Sequence, residues 1–336
     1  MSAGRSLLEL RPRPPFRLDL TVWALRRRPR NAIDAWDGHR YRRTVLVDGG
    51  PLELTVVQRG RADAPRLEAT LGRRRVTSAA EDAARATLTR LLGLDRDLDG
   101  FHARAARDAT LAPLVRRYLG LRPPRFPTVF ECLLNAIACQ QLSLEAGLTL
   151  LNRLAAAARP ADPAPPPFPT PADVAALAAS DLRAAGFSAR KAETILTLAA
   201  AAMRDPLELE ALARLDDERA RARLLRLRGI GPWSADYVLL RGLGRLGVFP
   251  RGDVGALNGL RRLLGTESAD DAARALERWA PYAGAVYLHL LLRGLEARGL
   301  LDPTDGGAYG TARRAAAARA KGGVHSRRER SVAGLD

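Results

Sequence analysis

Between Leu224 and Leu240 the chain runs L-L-R-L-R-G-I-G-P-W-S-A-D-Y-V-L-L, and no other stretch restricts the possible fold as tightly. Apolar residues at helical spacing stop at Gly229-Ile230-Gly231 and resume directly afterwards, which predicts a helix, a tight turn and a second helix across 218–241. Gly229 and Gly231 are expected to take backbone conformations that a side chain resists. Pro232 suits the first turn of the second helix, where a missing N–H costs nothing. The free amides of that turn then face outward at a helix N-terminus, a good seat for a phosphate. The same residues also describe an ordinary helical hairpin, and the turn alone does not separate the two readings.

The segment beyond the second helix adds another constraint. Gly247-Val248-Phe249-Pro250-Arg251-Gly252-Asp253-Val254-Gly255-Ala256 is a Gly/Pro loop that delivers one carboxylate to the start of another helix. On its own Asp253 reads equally well as a helix N-cap. The net charge of +17 and pI of about 11.2 imply a polyanionic partner, nucleic acid first. Only Lys191 and Lys321 are lysines among the 54 basic residues, so the Arg-rich, Ala-rich composition also carries a genomic base bias. The segment Ala312–Asp336 holds seven basic and two acidic residues and is expected to be a disordered basic tail.

The two cysteines, Cys132 and Cys139, fall in one predicted helix, about 10.5 Å apart along its axis. That excludes a disulfide between them, and two thiols cannot supply a four-cysteine iron–sulfur site. Buried thiols in a reducing cytoplasm are expected. No apolar run reaches the roughly 18 residues a membrane span needs, and no secretory pattern opens the chain.

Along the chain, residues 1–15 read as a flexible Arg/Pro-rich terminus. Residues 16–76 read as a small mixed α/β unit. Its strands are expected at Arg17–Val22, Tyr41–Val47, Leu52–Gln58 and Leu67–Leu71, with a short helix at Ala32–Trp36. Residues 77–311 read as all helical, with a Pro-rich linker at Pro160–Pro171, and residues 312–336 as the tail. The fold class is therefore α+β.

Hairpin, second helix, Gly/Pro loop and Asp253, in this order and spacing, resemble the helix-hairpin-helix–Gly/Pro–Asp superfamily of DNA glycosylases. The resemblance extends through Pro127–Glu131 and Ala136–Ser143, which look like the helix and Gln-rich turn that open that fold. It continues through Phe168–Pro171, Leu182–Phe187 and Arg190–Ala192, and it covers roughly residues 16 to 300. The N-terminal unit resembles the extra, TBP-like domain of the bacterial 3-methyladenine DNA glycosylase II branch, so a two-lobed helical glycosylase fold is expected behind it.

The resemblance implies a monofunctional hydrolase of alkylated purines in duplex DNA, of the DNA-3-methyladenine glycosylase II type. Bifunctional members carry a nucleophilic lysine where this chain has Trp233, so water rather than a Schiff base is expected as nucleophile. Asp253 is the expected catalytic carboxylate, stabilising positive charge on the sugar. Trp233 and Tyr237, four residues apart on one helix face, are expected to stack on a cationic base, with core packing as the alternative. Gly229, Ile230, Gly231, Gln140, Gln141 and Leu142 are the expected DNA contacts. Gln141 and Leu142 both qualify as the residue that fills the space of the flipped nucleotide, and helix-end hydrogen bonding is the alternative for the two glutamines. The family also implies a monovalent cation, Na+ or K+, on the carbonyls of Leu225, Leu227 and Ile230, and no other cofactor. His289 is expected to be structural. Leu291 stands where a well-known member has an aromatic ring, which predicts a less aromatic pocket. A monomer in the cytoplasm is expected. Competing readings are a non-catalytic DNA-binding module, and a glycosylase for deaminated or mismatched bases.

Overall fold

The computed structural model describes residues 6–72, 76–160, 165–205 and 208–302. The expected basic tail, 312–336, lies outside them. The N-terminal unit contains strands β1 (Ser6–Leu10), β2 (Ala35–Trp36), β3 (Arg40–Val47), β4 (Gly50–Arg59) and β5 (Arg66–Leu71), with helix α1 (Leu18–Arg26) between the first two. All pairings are antiparallel, in the order β1-β5-β4-β3-β2. Helix α2 (Ser78–Leu92) follows, and its Ala80, Ala84, Leu88 and Leu91 share one apolar core with the sheet and α1.

Three sequence expectations fail here. Residues 6–10, within the terminus read as loose, form β1, because Leu8 and Leu10 bury against β5. The alternating run Arg17–Val22 is not a strand but the start of α1. Its pattern misleads because the helix is buried on two faces: Leu18, Val22 and Leu25 turn toward the sheet, while Leu20 and Ala24 turn toward the helical core. Ala32–Trp36 is a turn leading into β2 rather than a helix, with the Asn31 side-chain oxygen accepting from the amides of Ile33 and Asp34.

The helical part contains α3 (Asp99–Ala106), α4 (Leu111–Arg117), α5 (Val129–Cys139), α6 (Leu144–Ala158), α7 (Pro171–Ala175), α8 (Ala179–Ala184), α9 (Ala189–Arg204), α10 (Glu208–Ala211), α11 (Asp217–Leu225), α12 (Pro232–Arg241), α13 (Val254–Leu264), α14 (Ala269–Arg278) and α15 (Ala283–Glu296). Two apolar clusters divide it into lobes. One gathers residues of α5, α6, α9 and α11; the other gathers residues of α3, α4, α14 and α15. Helix α12 belongs to both, giving Tyr237, Val238 and Leu239 to the first and Leu240 to the second. Lobes that share a helix meet along it, and that seam is where the site lies.

Buried charge fastens the sheet to the helices. Arg43 of β3 lies between Asp34, at 2.7 Å, and Glu131 of α5, at 2.6 Å, and all three are buried. The Tyr41 hydroxyl donates to Asp34 at 2.8 Å. Among the described residues, no helix is long and apolar enough to cross a membrane.

Candidate active site and DNA-facing hairpin

The hairpin forms as predicted, with Gly229-Ile230-Gly231 between α11 and α12. Its two glycines are needed for different reasons. Gly229 has φ +79, and a Cβ there would come within 2.7 Å of the Thr194 Oγ1 on α9. Gly231, the N-cap of α12, has φ −98 and ψ −178, which is ordinary extended backbone, and a Cβ there would meet nothing within 4 Å. The expectation of a special conformation therefore holds for Gly229 and fails for Gly231, where what matters is the open space around it. Gly229→Ala is expected to destabilise the protein by about 1–3 kcal/mol and to weaken DNA binding. Gly231→Ala should leave the unfolding midpoint unchanged and weaken DNA binding only. Thermal unfolding and titration with a duplex holding an abasic site check the pair, and a stability loss in Gly231→Ala would contradict the assignment.

A second segment braces the turn. The predicted helical stretch Thr128–Ala155 is interrupted at 140–143, separating α5 from α6. The Gln140 amide nitrogen donates to the Gly229 carbonyl and to the Ser234 hydroxyl, both at 2.9 Å. The sequence placed Gln140 against DNA; its amide hydrogens are instead used inside the protein, where they fix the hairpin. Lys191 Nζ donates to the carbonyls of Ala138 and Gln140, at 3.0 and 2.8 Å, closing the end of α5. Gln141 then takes a left-handed backbone, φ +55, unusual for a residue with a side chain. It presents itself and Leu142, 46% exposed, to solvent.

The loop from α12 leads to Asp253, the N-cap of α13. Asp253 Oδ1 accepts from the Ala256 amide at 2.9 Å, and its Oδ2 accepts from the Tyr287 hydroxyl of α15 at 2.8 Å. The carboxylate is partly exposed and lies at the positive end of the α13 dipole. Tyr287 is buried, and desolvation together with the neighbouring Asp253 charge pushes its phenol well above its usual pKa, so it remains a donor. Gly252 joins this carboxylate to Trp233: a Cβ on Gly252 would sit 2.9 Å from the Trp233 Cβ. The close approach of loop and indole therefore requires glycine at that position.

The two rings expected in the base pocket are not equivalent. Trp233 and Tyr237 stack with centroids 5.5 Å apart, tilted by 29°. Trp233 is half-buried, whereas Tyr237 is 4% exposed. Tyr237 packs behind the indole, so its part in the stack is the one foreseen as core packing. Its hydroxyl accepts from Arg27 Nη1 at 2.9 Å, and burial pushes its pKa up to about 12. His289 is buried against Phe101, with Nδ1 2.8 Å from the Ala285 carbonyl. Desolvation lowers its pKa to about 4, so it is neutral at pH 7. That fits the structural role expected of it. Leu291 packs against the second lobe's core.

The structure adds Tyr287, Gly252, Arg27 and Arg241 to the neighbourhood. Tyr287 lies two residues before His289 in the last helix, and its position there was the available signal. Arg27 had none, because it arrives from the N-terminal unit. For a monovalent cation the hairpin offers suitable oxygens. No hydrogen bond among the described residues ends on the carbonyls of Leu225 or Ile230, and that of Leu227 accepts only from the Ile230 amide at 3.1 Å.

A braced helical hairpin, a glycine-lined loop and one carboxylate at the seam of two helical lobes define a DNA-repair class of fold, and comparison with known proteins agrees. Residues 134–281 match the HhH-GPD superfamily of base excision DNA repair proteins, and residues 7–127 match the AlkA N-terminal domain. The DNA-3-methyladenine glycosylase of Bacillus subtilis (strain 168) is 31% identical over 174 residues, 51% of this chain and 57% of that protein. The 3-methyladenine DNA-glycosylase from Archaeoglobus fulgidus superposes with a TM-score of 0.73 at 24% identity, covering 88% of this chain and 100% of that one. The Schizosaccharomyces pombe 3-methyladenine DNA glycosylase Mag1, in complex with abasic DNA, is 28% identical with a TM-score of 0.50, covering 56% of this chain and 94% of that one. The matched stretches span under three fifths of the length of the first curated relatives. The chain thus carries an HhH-GPD domain over residues 134–281 behind an AlkA N-terminal domain over residues 7–127.

Proposed function

We propose that the chain is a monofunctional DNA N-glycosylase of base excision repair. It would hydrolyse the N-glycosidic bond of alkylated purines, of the 3-methyladenine and 7-methylguanine type, flipped out of duplex DNA. The observation that carries this reading is the Asp253 carboxylate, held by the Ala256 amide and the Tyr287 hydroxyl and joined through Gly252 to the half-buried Trp233. A purine alkylated at N3 or N7 is cationic and leaves as a neutral base, so it needs no general acid. The enzyme must extrude the nucleotide and stabilise the oxocarbenium-like sugar. Asp253 supplies the opposing charge and orients the attacking water. The indole of Trp233 offers a face to the base, with a cation–π contact of about 0.5–2 kcal/mol.

The outward amides around Gly231 take a phosphate of the duplex, and the exposed Gln141–Leu142 loop enters the space the nucleotide leaves. A monovalent cation, when bound, would be held by the carbonyls of Leu225, Leu227 and Ile230 and would stiffen the turn. The protein acts as a monomer in the cytoplasm. A carboxylate held this firmly and joined through Gly252 to the half-buried Trp233 disfavours a purely DNA-binding role. Trp233 stands where a lyase carries its lysine, and Lys191 is engaged with two carbonyls. Incubation with a methylated duplex should therefore release free base without strand cleavage, and borohydride should trap no covalent adduct. A trapped adduct would refute the hydrolytic mechanism.

A further inference from the structure

Two buried guanidiniums lie behind the Trp233–Tyr237 stack with no carboxylate in ion-pair contact; Asp34 and Glu131, which Arg43 bridges, act on Arg27 only from a distance. Arg27 follows α1 with φ +62, a left-handed backbone that directs its side chain between the units, and it is 5% exposed. Its Nη1 donates to the Tyr237 hydroxyl at 2.9 Å and its Nη2 to Asn135 Oδ1 at 2.7 Å, while its buried Nε has no protein acceptor. Arg241 is 1% exposed; its Nη2 donates to the Ala24 carbonyl at 3.0 Å, and its Nε and Nη1 have no acceptor. The two cations lie over the ring of Phe126, 5.7 and 5.5 Å from its centroid. Neither forms an ion pair among the described residues, whereas nearby Arg43 is paired with both Asp34 and Glu131.

A buried positive charge normally has a counter-charge, because an unpaired one is costly and arginine does not neutralise at any ordinary pH. Arg27 and Arg241 instead keep a positive field under the ring stack, where low dielectric makes it effective. That field has opposite consequences for two kinds of damaged base. A base already cationic in the nucleotide is held less tightly than the Trp233 face alone would hold it. A neutral base leaves with the glycosidic electron pair: the C1′–N9 bond breaks, the base departs as an anion, water forms the new C1′–O bond, and the proton water loses ends on the base. The developing negative charge is stabilised by the guanidiniums.

We propose that Arg27, supplied by the N-terminal domain, is a positioning and specificity-determining residue: through Tyr237 it places positive charge behind the base pocket and shifts selectivity from cationic alkylated bases toward neutral ones. The inference rests on the glycosylase reading and on a base seated against Trp233. Its test is the ratio of kcat/KM for release of a neutral base, hypoxanthine, to that of a cationic one, 7-methylguanine, from otherwise identical duplexes. Wild type, Arg27→Met and Arg27→Lys are compared. Both substrates meet the same molecules, so the ratio is independent of the folded fraction of each variant.

Arg27→Met should lower the ratio at least tenfold, mainly through slower hypoxanthine release, and Arg27→Lys should restore part of it. Equal losses on both substrates would mean that Arg27 only supports the fold and would overturn the proposal. So would a wild type that releases 7-methylguanine but no hypoxanthine. If wild type releases neither base, the glycosylase reading itself fails, whatever Arg27 does.

Discussion

Asp253→Asn is expected to reduce release of 7-methylguanine from duplex DNA by roughly 10²–10³-fold or more, with the unfolding midpoint and the affinity for abasic DNA near those of wild type. The substitution separates the two roles the sequence left open for this residue. Asparagine caps a helix about as well as aspartate, and its amide oxygen can still accept from the Ala256 amide, so the cap survives. What would be lost is the negative charge proposed to face the sugar. If the cap were the whole function, the variant would remain active. Single-turnover base release, measured beside thermal unfolding, gives both quantities. Retention of most of the activity would rule out Asp253 as the catalytic carboxylate.

Arg43→Ala should have the largest effect on stability, about 3–5 kcal/mol at neutral pH. Its removal leaves Asp34 and Glu131 buried at the domain junction without their shared guanidinium. Burial already pushes the Glu131 carboxyl above its ordinary pKa even with Arg43 beside it, the guanidinium being the main influence in the other direction. Without Arg43 the upward shift is opposed only by the more distant Arg27 among the groups that lower it. A carboxyl with a raised folded-state pKa binds protons more readily folded than unfolded, so acid favours its folded form. The deficit of Arg43→Ala should therefore be greatest above the raised pKa and shrink as the pH falls through it. Urea unfolding at mildly alkaline and mildly acidic pH checks this; a deficit independent of pH would mean that the two carboxylates are not its source.

The site was legible in the sequence where chemistry and local backbone coincide. The Gly229 turn, the Pro232 start of α12 and the loop ending in Asp253 are short-range features, and each is written in consecutive residues. The fold of the first 40 residues was not legible, for a physical reason. Helix α1 is covered by the sheet on one side and α15's lobe on the other, so Leu18, Leu20 and Val22 alternate as a strand's residues do. Tertiary burial had removed the polar face that marks a helix. The same limit hid Arg27 and Tyr287. Their partners, Tyr237 and Asp253, lie 210 and 34 residues away; nothing local distinguishes Arg27, and Tyr287 is marked only by its place near His289 in the last helix. Gln140 could be read as facing outward because only the folded chain brings the Gly229 carbonyl to it.

The bond from Gln140 to Gly229 also fixes a distance. It ties the exposed Gln141–Leu142 loop to the turn that would hold a phosphate, and Lys191 clamps the same end of α5. The tip proposed to enter the duplex and the proposed grip on its backbone then belong to one braced part, like the two jaws of a fixed gauge. A straight, undamaged helix and this gauge are not expected to match without one of them yielding, and the protein side has little freedom to do so. The deformation should fall on the DNA, and its energetic cost is smallest where a lesion has already weakened stacking and pairing.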